Sequence, residues 1–197
     1  MGDITSADIH AALSRVAAHA EGAVAAELNA ADGALGDGDL GITVSRGFAE
    51  AAGAALPADL GQAFLEISKA MQRVSSSSYG TLLATAAMSA AKATKGREAM
   101  PATELPALAE GALAAMMARG KGNLGDKTVL DVLDAVAKAL PGDEAGMLDR
   151  AVKAANAVLE EFKSKPNKLG RARMFGDGSI GLYDPGQLAL VRILEGL

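Results

Sequence analysis

Three aspartates lie within eight residues near the N-terminus, in the stretch LNAADGALGDGDLGIT (residues 28–43). Asp32, Asp37 and Asp39 are separated mainly by glycine and alanine. At short range their negative charges repel one another strongly unless a cation or a proton relieves them. The chain has no cysteine and only two histidines, so a metal bound here would have oxygen ligands, and Mg²⁺ suits such a set.

Two other interpretations of this stretch stay open. One is a solvated turn rich in aspartate and glycine, which needs no metal. The other is a calcium-binding EF-hand loop, although that loop requires a glutamate at its twelfth position and this sequence continues as LGITVSRGF. The metal interpretation is favoured by Gly36, Gly38 and Gly41, because glycines let the backbone turn all three carboxylates to one side.

Two further stretches are typical of phosphate-binding loops. A run of four serines precedes a predicted helix and consists of Ser75, Ser76, Ser77 and Ser78. Hydroxyls and backbone N–H groups at a helix start favour an anion, and a flexible polar connector is the alternative. The stretch RGKGNLGDKT (residues 119–128) resembles a Walker loop only superficially, because Asp126 separates Gly125 from Lys127. We expect Asp126 to cap the following helix and the glycines to admit a flat ligand.

Basic residues are concentrated before the last predicted helix. Five of the nineteen lie there, namely Lys163, Lys165, Lys168, Arg171 and Arg173. An arginine beside a carboxylate-bound metal can neutralise phosphate oxygens, whereas a solvated basic connector is the alternative.

Composition excludes several classes of protein. A chain of 197 residues, half of them apolar, fits one globular domain spanning residues 1–197. With four Phe and two Tyr, alanine and leucine must build the core. There is no apolar run of about eighteen residues and no basic signal peptide, so we expect a cytoplasmic protein without a membrane partner. A net charge of −5 argues against nucleic acid as a partner.

Apolar residues at helical spacing predict eight helices and no sheet. The first helix is capped by Thr5 or Ser6 and extends to Leu28, and the others cover residues 41–53, 59–74, 78–95, 103–119, 126–140, 144–163 and 184–195. Asp184 followed by Pro185 is a strong helix-start signal. Short connections between alanine-rich helices favour an all-α, single-domain bundle or barrel of antiparallel up-and-down helices.

The four unusual loops follow the first, third, fifth and seventh predicted helices. Alternate connections of an antiparallel bundle lie at the same end, so these loops are expected to meet on one rim. This rim is the predicted binding site.

These motifs, in this order, resemble the L subunit of dihydroxyacetone kinases, the ADP-binding subunit with a Dak2-type domain. The resemblance covers nearly the whole chain and is carried by LNAADGALGDGDLGITVSRGF, YGT, RGKGNLGDKTVLDVLDAV and GRARMFGDGSIGLYDPG. It implies a barrel of eight antiparallel helices that holds ADP or ATP and two Mg²⁺ at one rim. The metal ligands that it implies are Asp32, Asp37 and Asp39.

The resemblance also implies nucleotide contacts in all four loops. They are Leu40, Gly41, Ile42, Thr43, Ser75, Ser76, Ser77, Ser78, Thr81, Gly120, Val129, Arg171, Tyr183, Asp184 and Pro185. Arg171 is the implied catalytic residue, since it would stabilise the transferring phosphoryl group. The chain departs from the family pattern at Leu40 and Thr43, where the family has histidine and asparagine, and in the shortened phosphate loop, where serine replaces glycine.

The resemblance further implies a phosphotransferase subunit that is inactive alone, because a separate K-type subunit holds the ketose through a histidine. Two phosphoryl donors stay open: a phosphoenolpyruvate relay, in which an M-type subunit rephosphorylates bound ADP, and exchangeable ATP. Three further alternatives also stay open. They are another small ketose such as a tetrulose as the acceptor, a homodimer, and a non-catalytic nucleotide-binding sensor or interaction module.

Overall fold

The computed structural model describes residues 2–74 and 77–197, and in these ranges it is all-α, as the sequence predicts. The helices are α1 (Ser6–His19), α2 (Ala23–Leu35), α3 (Leu40–Ala52), α4 (Leu60–Val74), α5 (Ser78–Ala93), α6 (Leu105–Gly120), α7 (Val129–Ala139), α8 (Met147–Lys163) and α9 (Pro185–Glu195). A short strand, β1 (Ile4–Thr5), precedes α1. A second short strand, β2 (Ala99–Met100), and three 3-10 turns, Ala102–Glu104, Glu144–Gly146 and Ala172–Ser179, lie between the helices.

The helices form a closed ring around one core. Each helix from α3 to α9 packs against the next one in the chain. Helix α9 closes the ring by contacting α1 and α2, both of which also pack on α3. Most of α9 is buried, so the last helix of the chain is held on several sides.

Small apolar side chains fill this core. Ala51, Ala63, Ala70, Ala155 and Ala189 are completely buried, beside larger leucine and valine side chains. Alanine lets neighbouring backbones approach closely. These buried residues confirm that mainly aliphatic rather than aromatic side chains build the core. Within the described ranges, no helix combines the length and the hydropathy needed to cross a membrane.

The prediction of a single first helix is wrong, because the structure has two helices there. Thr5 caps α1 as predicted, in a capping box with Asp8. Helix α1 ends before Gly22, whose φ of 58° redirects the chain into α2. Helix α2 then continues to Leu35, so Asp32 lies in its last turn and not in a loop.

The prediction of no sheet also fails, at one place. Ile4 pairs with Met100, and Thr5 pairs with Ala99, in an antiparallel ladder of two residues per strand. Both segments lie outside the helices, so their backbone groups are free to pair with each other.

Asp126 does not cap helix α7, contrary to the prediction. Thr128 is the cap, and Asp131 completes a capping box with it. A capping box needs an acidic or amide side chain three residues after the cap. Thr128 has Asp131 at that position. Asp126 has Val129 there, which cannot complete a capping box. The Asp126 carboxylate instead accepts a hydrogen bond of 2.8 Å from the N–H of Asn123.

Helices α2 and α3 lie backbone against backbone at Gly41. A Cβ atom there would overlap the carbonyl oxygen of Ala25, and it would lie 2.8 Å from Oδ1 of Asn29. The contact therefore sets how closely the start of α3, which follows Asp39, packs against α2, the helix that carries Asp32 in its last turn.

We predict that Gly41→Ala destabilises the fold by about 1–3 kcal/mol or more, because the added methyl group forces α2 and α3 apart. Gly47→Ala in the same helix is the matched control. A Cβ atom at Gly47 meets nothing within 4 Å, so this substitution should stabilise α3 by about 0.5–1 kcal/mol. Urea unfolding measures both changes. Equal free energies of unfolding for the two variants would contradict the close approach at Gly41.

Candidate functional site

Four connections of the ring open onto one cleft of about 700 Å³. They follow α2, α4, α6 and α8, and they are the four loops that helix alternation predicts for one rim. The lining residues come from these connections and the adjoining helix ends: Asp32, Leu35, Asp37, Asp39, Leu40, Ser77, Ser78, Tyr79, Thr81, Leu82, Met116, Arg119, Gly120, Thr128, Val129, Leu130, Leu169, Gly170, Arg171, Ala172, Asp184, Pro185 and Gly186.

The three predicted metal ligands meet at the edge of this cleft. They form an acidic triad of Asp32, Asp37 and Asp39. Each residue offers a carboxylate oxygen, and these oxygens lie within 4.8 Å of one another. Asp32 is half-buried, and the other two are exposed. Three oxygens at this spacing, open to the cleft, match the donor chemistry that Mg²⁺ prefers.

Asp32 is oriented by the loop that follows its helix. Its Oδ2 accepts hydrogen bonds from the N–H groups of Gly38, at 2.9 Å, and Asp39, at 3.0 Å. A side chain at position 36 would overlap Oδ1 of Asp32, so Gly36 leaves that oxygen accessible. Burial raises the pKa of Asp32, and the charge of Asp37 raises it further against the lowering effect of these hydrogen bonds.

Arg171 lies in the connection after α8 and reaches the acidic triad, where its guanidinium pairs with the carboxylate of Asp37. The hydrogen bond from Arg171 lowers the pKa of Asp37. Both side chains are about half exposed or more, at 67% and 47%, so solvent screens the pair and it adds little to stability. Its importance lies in placing one cationic group directly beside the triad.

The start of α3 provides one of the four predicted contacts to the cleft. Leu40 lines the cleft, whereas Gly41, Ile42 and Thr43 do not. The side chain of Asn29 on α2 accepts hydrogen bonds from the N–H groups of Gly41, at 2.8 Å, and Ile42, at 3.3 Å. These two donors are therefore already used inside the protein.

The start of α5 faces the cleft through Ser77, Ser78 and Thr81. Ser77 is the cap of the helix, and its hydroxyl accepts a hydrogen bond of 3.0 Å from the N–H of Gly80. Ser75 and Ser76, the other two predicted contacts of this loop, lie outside the described residues. A helix N-terminus aimed into the cleft favours an anion, as the run of serines predicts.

Gly120, Val129, Asp184 and Pro185 also line the cleft. Tyr183 does not, because its hydroxyl donates to the carboxylate of Glu160 and Nζ of Lys163 lies 4.4 Å from the centre of its ring. The Tyr183 side chain thus contacts α8 and is partly buried against the core.

Asp184 is a buried carboxylate that lines the cleft. It caps α9 as predicted, accepting a hydrogen bond of 2.8 Å from the N–H of Gln187, and Nδ2 of Asn167 donates to it at 2.7 Å. Burial raises the pKa of Asp184 to about 6, although both hydrogen bonds and the nearby charge of Lys127 oppose this rise.

The structure adds lining residues that sequence reasoning missed. They are Leu35, Tyr79, Leu82, Met116, Arg119, Thr128, Leu130, Leu169, Gly170, Ala172 and Gly186. Most of the apolar ones lie on helical faces, where periodicity cannot separate a residue that lines a cleft from one that fills the core. All of the missed residues except Leu82, Met116 and Leu169 had a usable signal, since they belong to motifs already recognised in the sequence.

Asp184→Asn should change how stability depends on pH. The raised pKa means that the folded state holds the Asp184 proton more tightly than the unfolded chain. This contribution to stability is present below pH 4 and is lost as the pH rises through about 6. The stability of the wild type relative to D184N should therefore fall by about 2–3 kcal/mol between pH 4 and pH 7.

Urea unfolding of both proteins at the two pH values measures this change. Asp149→Asn, at the exposed start of α8, removes the same charge far from the cleft and is the control. A difference between wild type and D184N that stays constant with pH would show that Asp184 titrates normally.

Comparison with known proteins gives one consistent family. The DAK2 domain family matches residues 34–197. The chain is 35% identical over 158 residues to "PEP-dependent dihydroxyacetone kinase 1, ADP-binding subunit DhaL" of Listeria innocua, covering 79% of this chain and 77% of that protein. It is 30% identical to L-erythrulose 1-kinase of Mycolicibacterium smegmatis, covering 87% of this chain and 32% of that protein.

A solved structure shows the same fold. The dihydroxyacetone kinase of C. freundii in complex with AMP-PNP and Mg²⁺ aligns over 100% of this chain and 34% of that one, with a TM-score of 0.77 and 26% identity. The chain thus spans about a third of the length of these two larger kinases and most of the length of the Listeria subunit. On the extent of these matches, the chain belongs to the DAK2 domain family, which includes the ADP-binding subunits of dihydroxyacetone kinases.

Proposed function

We propose that this protein is the nucleotide-binding subunit of a dihydroxyacetone kinase-like phosphotransferase. It binds ADP or ATP with two Mg²⁺ and passes a phosphoryl group to a small ketose held by a separate K-type subunit. The observation that carries the proposal is the acidic triad, three carboxylates within 4.8 Å at the edge of a cleft that also receives Arg171 and the N-terminus of α5.

The donor set of the triad fits magnesium. Asp32 uses Oδ2 for the loop backbone, which leaves Oδ1 for a cation, and Asp37 and Asp39 are exposed to the cleft. Two Mg²⁺ bound there would neutralise charge on the phosphates during transfer. The three side chains orient the phosphate end of the nucleotide by fixing where those ions lie.

Three hydroxyl side chains and one arginine of the cleft act on the phosphates directly. Ser77, Ser78 and Thr81 surround the start of α5, whose helix dipole favours an anion. Arg171 lies beside the triad, within reach of the same region, and its guanidinium can hold two phosphate oxygens at once. In this role Arg171 leaves Asp37 for the transferring phosphoryl group.

The base of the nucleotide belongs at the apolar part of the cleft. Leu82, Met116, Leu130 and Leu169 line it with hydrophobic surface. Such a surface suits a flat aromatic ring, while Gly120 leaves space for the ring to approach the backbone.

The acceptor site belongs to another subunit. Both histidines of the chain, His10 and His19, lie on α1, outside the residues that line the cleft. The Listeria relative is itself named an ADP-binding subunit, which supports a division of labour between subunits. We therefore expect the chain to be inactive until a K-type subunit supplies the ketose.

A second candidate acceptor is a tetrulose such as erythrulose, with ATP as the donor. The similarity to L-erythrulose 1-kinase favours it. Leu40 and Thr43 also favour it, since they stand where the dihydroxyacetone kinase pattern has histidine and asparagine. A phosphoenolpyruvate relay through an M-type subunit is the corresponding donor for the first candidate.

We predict that Asp37→Ala weakens Mg²⁺-dependent binding of ADP by tenfold or more, a loss of about 1.4 kcal/mol or more, because one metal ligand is removed. Calorimetric titration of ADP, with and without Mg²⁺, measures the effect. Asp149→Ala removes an exposed carboxylate from α8 and serves as the control. Unchanged Mg²⁺-dependent affinity in D37A would contradict the assignment of the triad.

Reconstitution of the protein with a K-type subunit tests which phosphoryl donor and which ketose the reaction uses. The protein is combined with a K-type subunit and either dihydroxyacetone or erythrulose, and transfer is measured with ATP and with a phosphoenolpyruvate-driven relay. We expect transfer with one donor and none without the K-type subunit. Tight nucleotide binding without transfer to any ketose from either donor would instead indicate a non-catalytic sensor or interaction module.

A further inference from the structure

Buried polar groups are concentrated beneath the connection after α8. Eight polar or charged residues of the described part of the chain are buried, and six of them lie in or beside the connections after α6 and α8. These six are Lys127, Asp131, Asn167, Ser179, Asp184 and Gln187. Burying polar groups is costly unless they are hydrogen-bonded, so this concentration indicates a specific structural requirement at this place.

Lys127 is at the centre of this group. Its side chain is completely buried, and Nζ donates to the carbonyl oxygens of Lys165, at 2.8 Å, Ser179, at 2.9 Å, and Leu182, at 2.8 Å. An ammonium has three N–H donors, and all three are used. Lys127 therefore cannot bind a phosphate in the cleft, although its place in a glycine-rich loop resembles that of a phosphate-binding lysine.

Other hydrogen bonds tie the same two connections together. Nδ2 of Asn167 donates to the carbonyl of Lys127, at 2.9 Å, and to Oδ1 of Asp184, at 2.7 Å. The N–H of Lys168 donates to the carbonyl of Asp126 at 3.0 Å. The network thus extends from the start of α7 to the start of α9.

The connection held by Lys127 has little hydrophobic anchoring of its own. From residue 173 to residue 182 only Ser179 is buried. The large apolar side chains of this segment are exposed: Met174 at 80%, with Phe175, Ile180 and Leu182 at 40% or more. Apolar burial therefore adds little to its stability, and two of the carbonyls on Lys127 belong to this segment.

The backbone conformation of Lys127 indicates that its side chain is needed at this position. Its φ is 60°, a left-handed conformation that disfavours any residue with a Cβ atom. Glycine would adopt this backbone more easily, but it would remove the ammonium that donates to the carbonyls of Lys165, Ser179 and Leu182.

We propose that Lys127 is the positioning residue of the cleft. Its buried ammonium holds the connection from residue 164 to residue 184, so that Arg171 faces the acidic triad and the start of α9 lines the cleft. Lys127 acts through this connection and does not touch the nucleotide. The proposal rests on the proposed function for its effect on binding, but its effect on the connection can be measured without any ligand.

The first test compares Lys127→Met with Lys138→Met, which removes an exposed lysine from α7. In K127M we expect faster hydrogen exchange of the amides in residues 163–186, including Gly181, and ADP affinity lower by tenfold or more in the presence of Mg²⁺. K138M should match the wild type in both measurements. Circular dichroism checks that the helices are retained.

The second test restores the ammonium chemically. The protein has no cysteine, so Lys127→Cys introduces one unique thiol. Aminoethylation of that thiol in the unfolded chain, followed by refolding, rebuilds a lysine-like ammonium, and S-propylation gives a neutral group of similar length. We expect the aminoethylated protein to regain protection of residues 163–186 and ADP affinity, and the propylated protein to regain neither.

Three outcomes would overturn the proposal. They are unchanged exchange in K127M, faster exchange with unchanged ADP affinity, and equal rescue by the aminoethyl and propyl groups. If the wild type binds neither ADP nor ATP, the proposed function fails separately. The exchange measurements then decide alone whether Lys127 holds the connection.

Discussion

Repulsion among three carboxylates within 4.8 Å of one another is the constraint on which the rest of this structure depends. Charges that are scattered over a surface repel one another weakly. These three carboxylates are close enough that, when ionised, they destabilise one another unless a counter-charge is present. The protein supplies part of that counter-charge through the backbone N–H groups on Asp32 and the guanidinium on Asp37. Both partners leave carboxylate oxygens open to the cleft, and a divalent cation would use the same oxygens.

Holding the triad together requires support from distant parts of the chain. The close contact at Gly41 packs the helix that follows Asp39 against the helix that carries Asp32, and the N–H of Asp39 donates to the Asp32 carboxylate. Arg171 comes from the connection after α8, which has little hydrophobic anchoring and is held by Lys127 from the connection after α6. The closed ring of helices brings these connections to one end, so the site depends on the whole fold rather than on one loop.

The sequence predicted the main features of this arrangement because they depend on local patterns. Helix periodicity gave the all-α fold, and the Asp184 and Pro185 pair gave the start of α9. The prediction that four loops meet on one rim holds although the first predicted helix is really two helices. The break between α1 and α2 lies before all four loops, so these loops still follow every second helix. Features set by tertiary distance could not be predicted. Asn29 occupies the N–H groups of α3, and Lys127 reaches carbonyls up to 55 residues away.

The most direct test of this account is pulsed EPR of Mn²⁺ bound in place of Mg²⁺, with ADP present. If the acidic triad holds the ions that bind the nucleotide phosphates, wild-type protein should bind two Mn²⁺ per chain and show hyperfine coupling to ³¹P of ADP. That coupling should be lost when Asp37 and Asp39 are both replaced by alanine. Bound Mn²⁺ without ³¹P coupling in the wild type, or coupling that persists in the double variant, would contradict it.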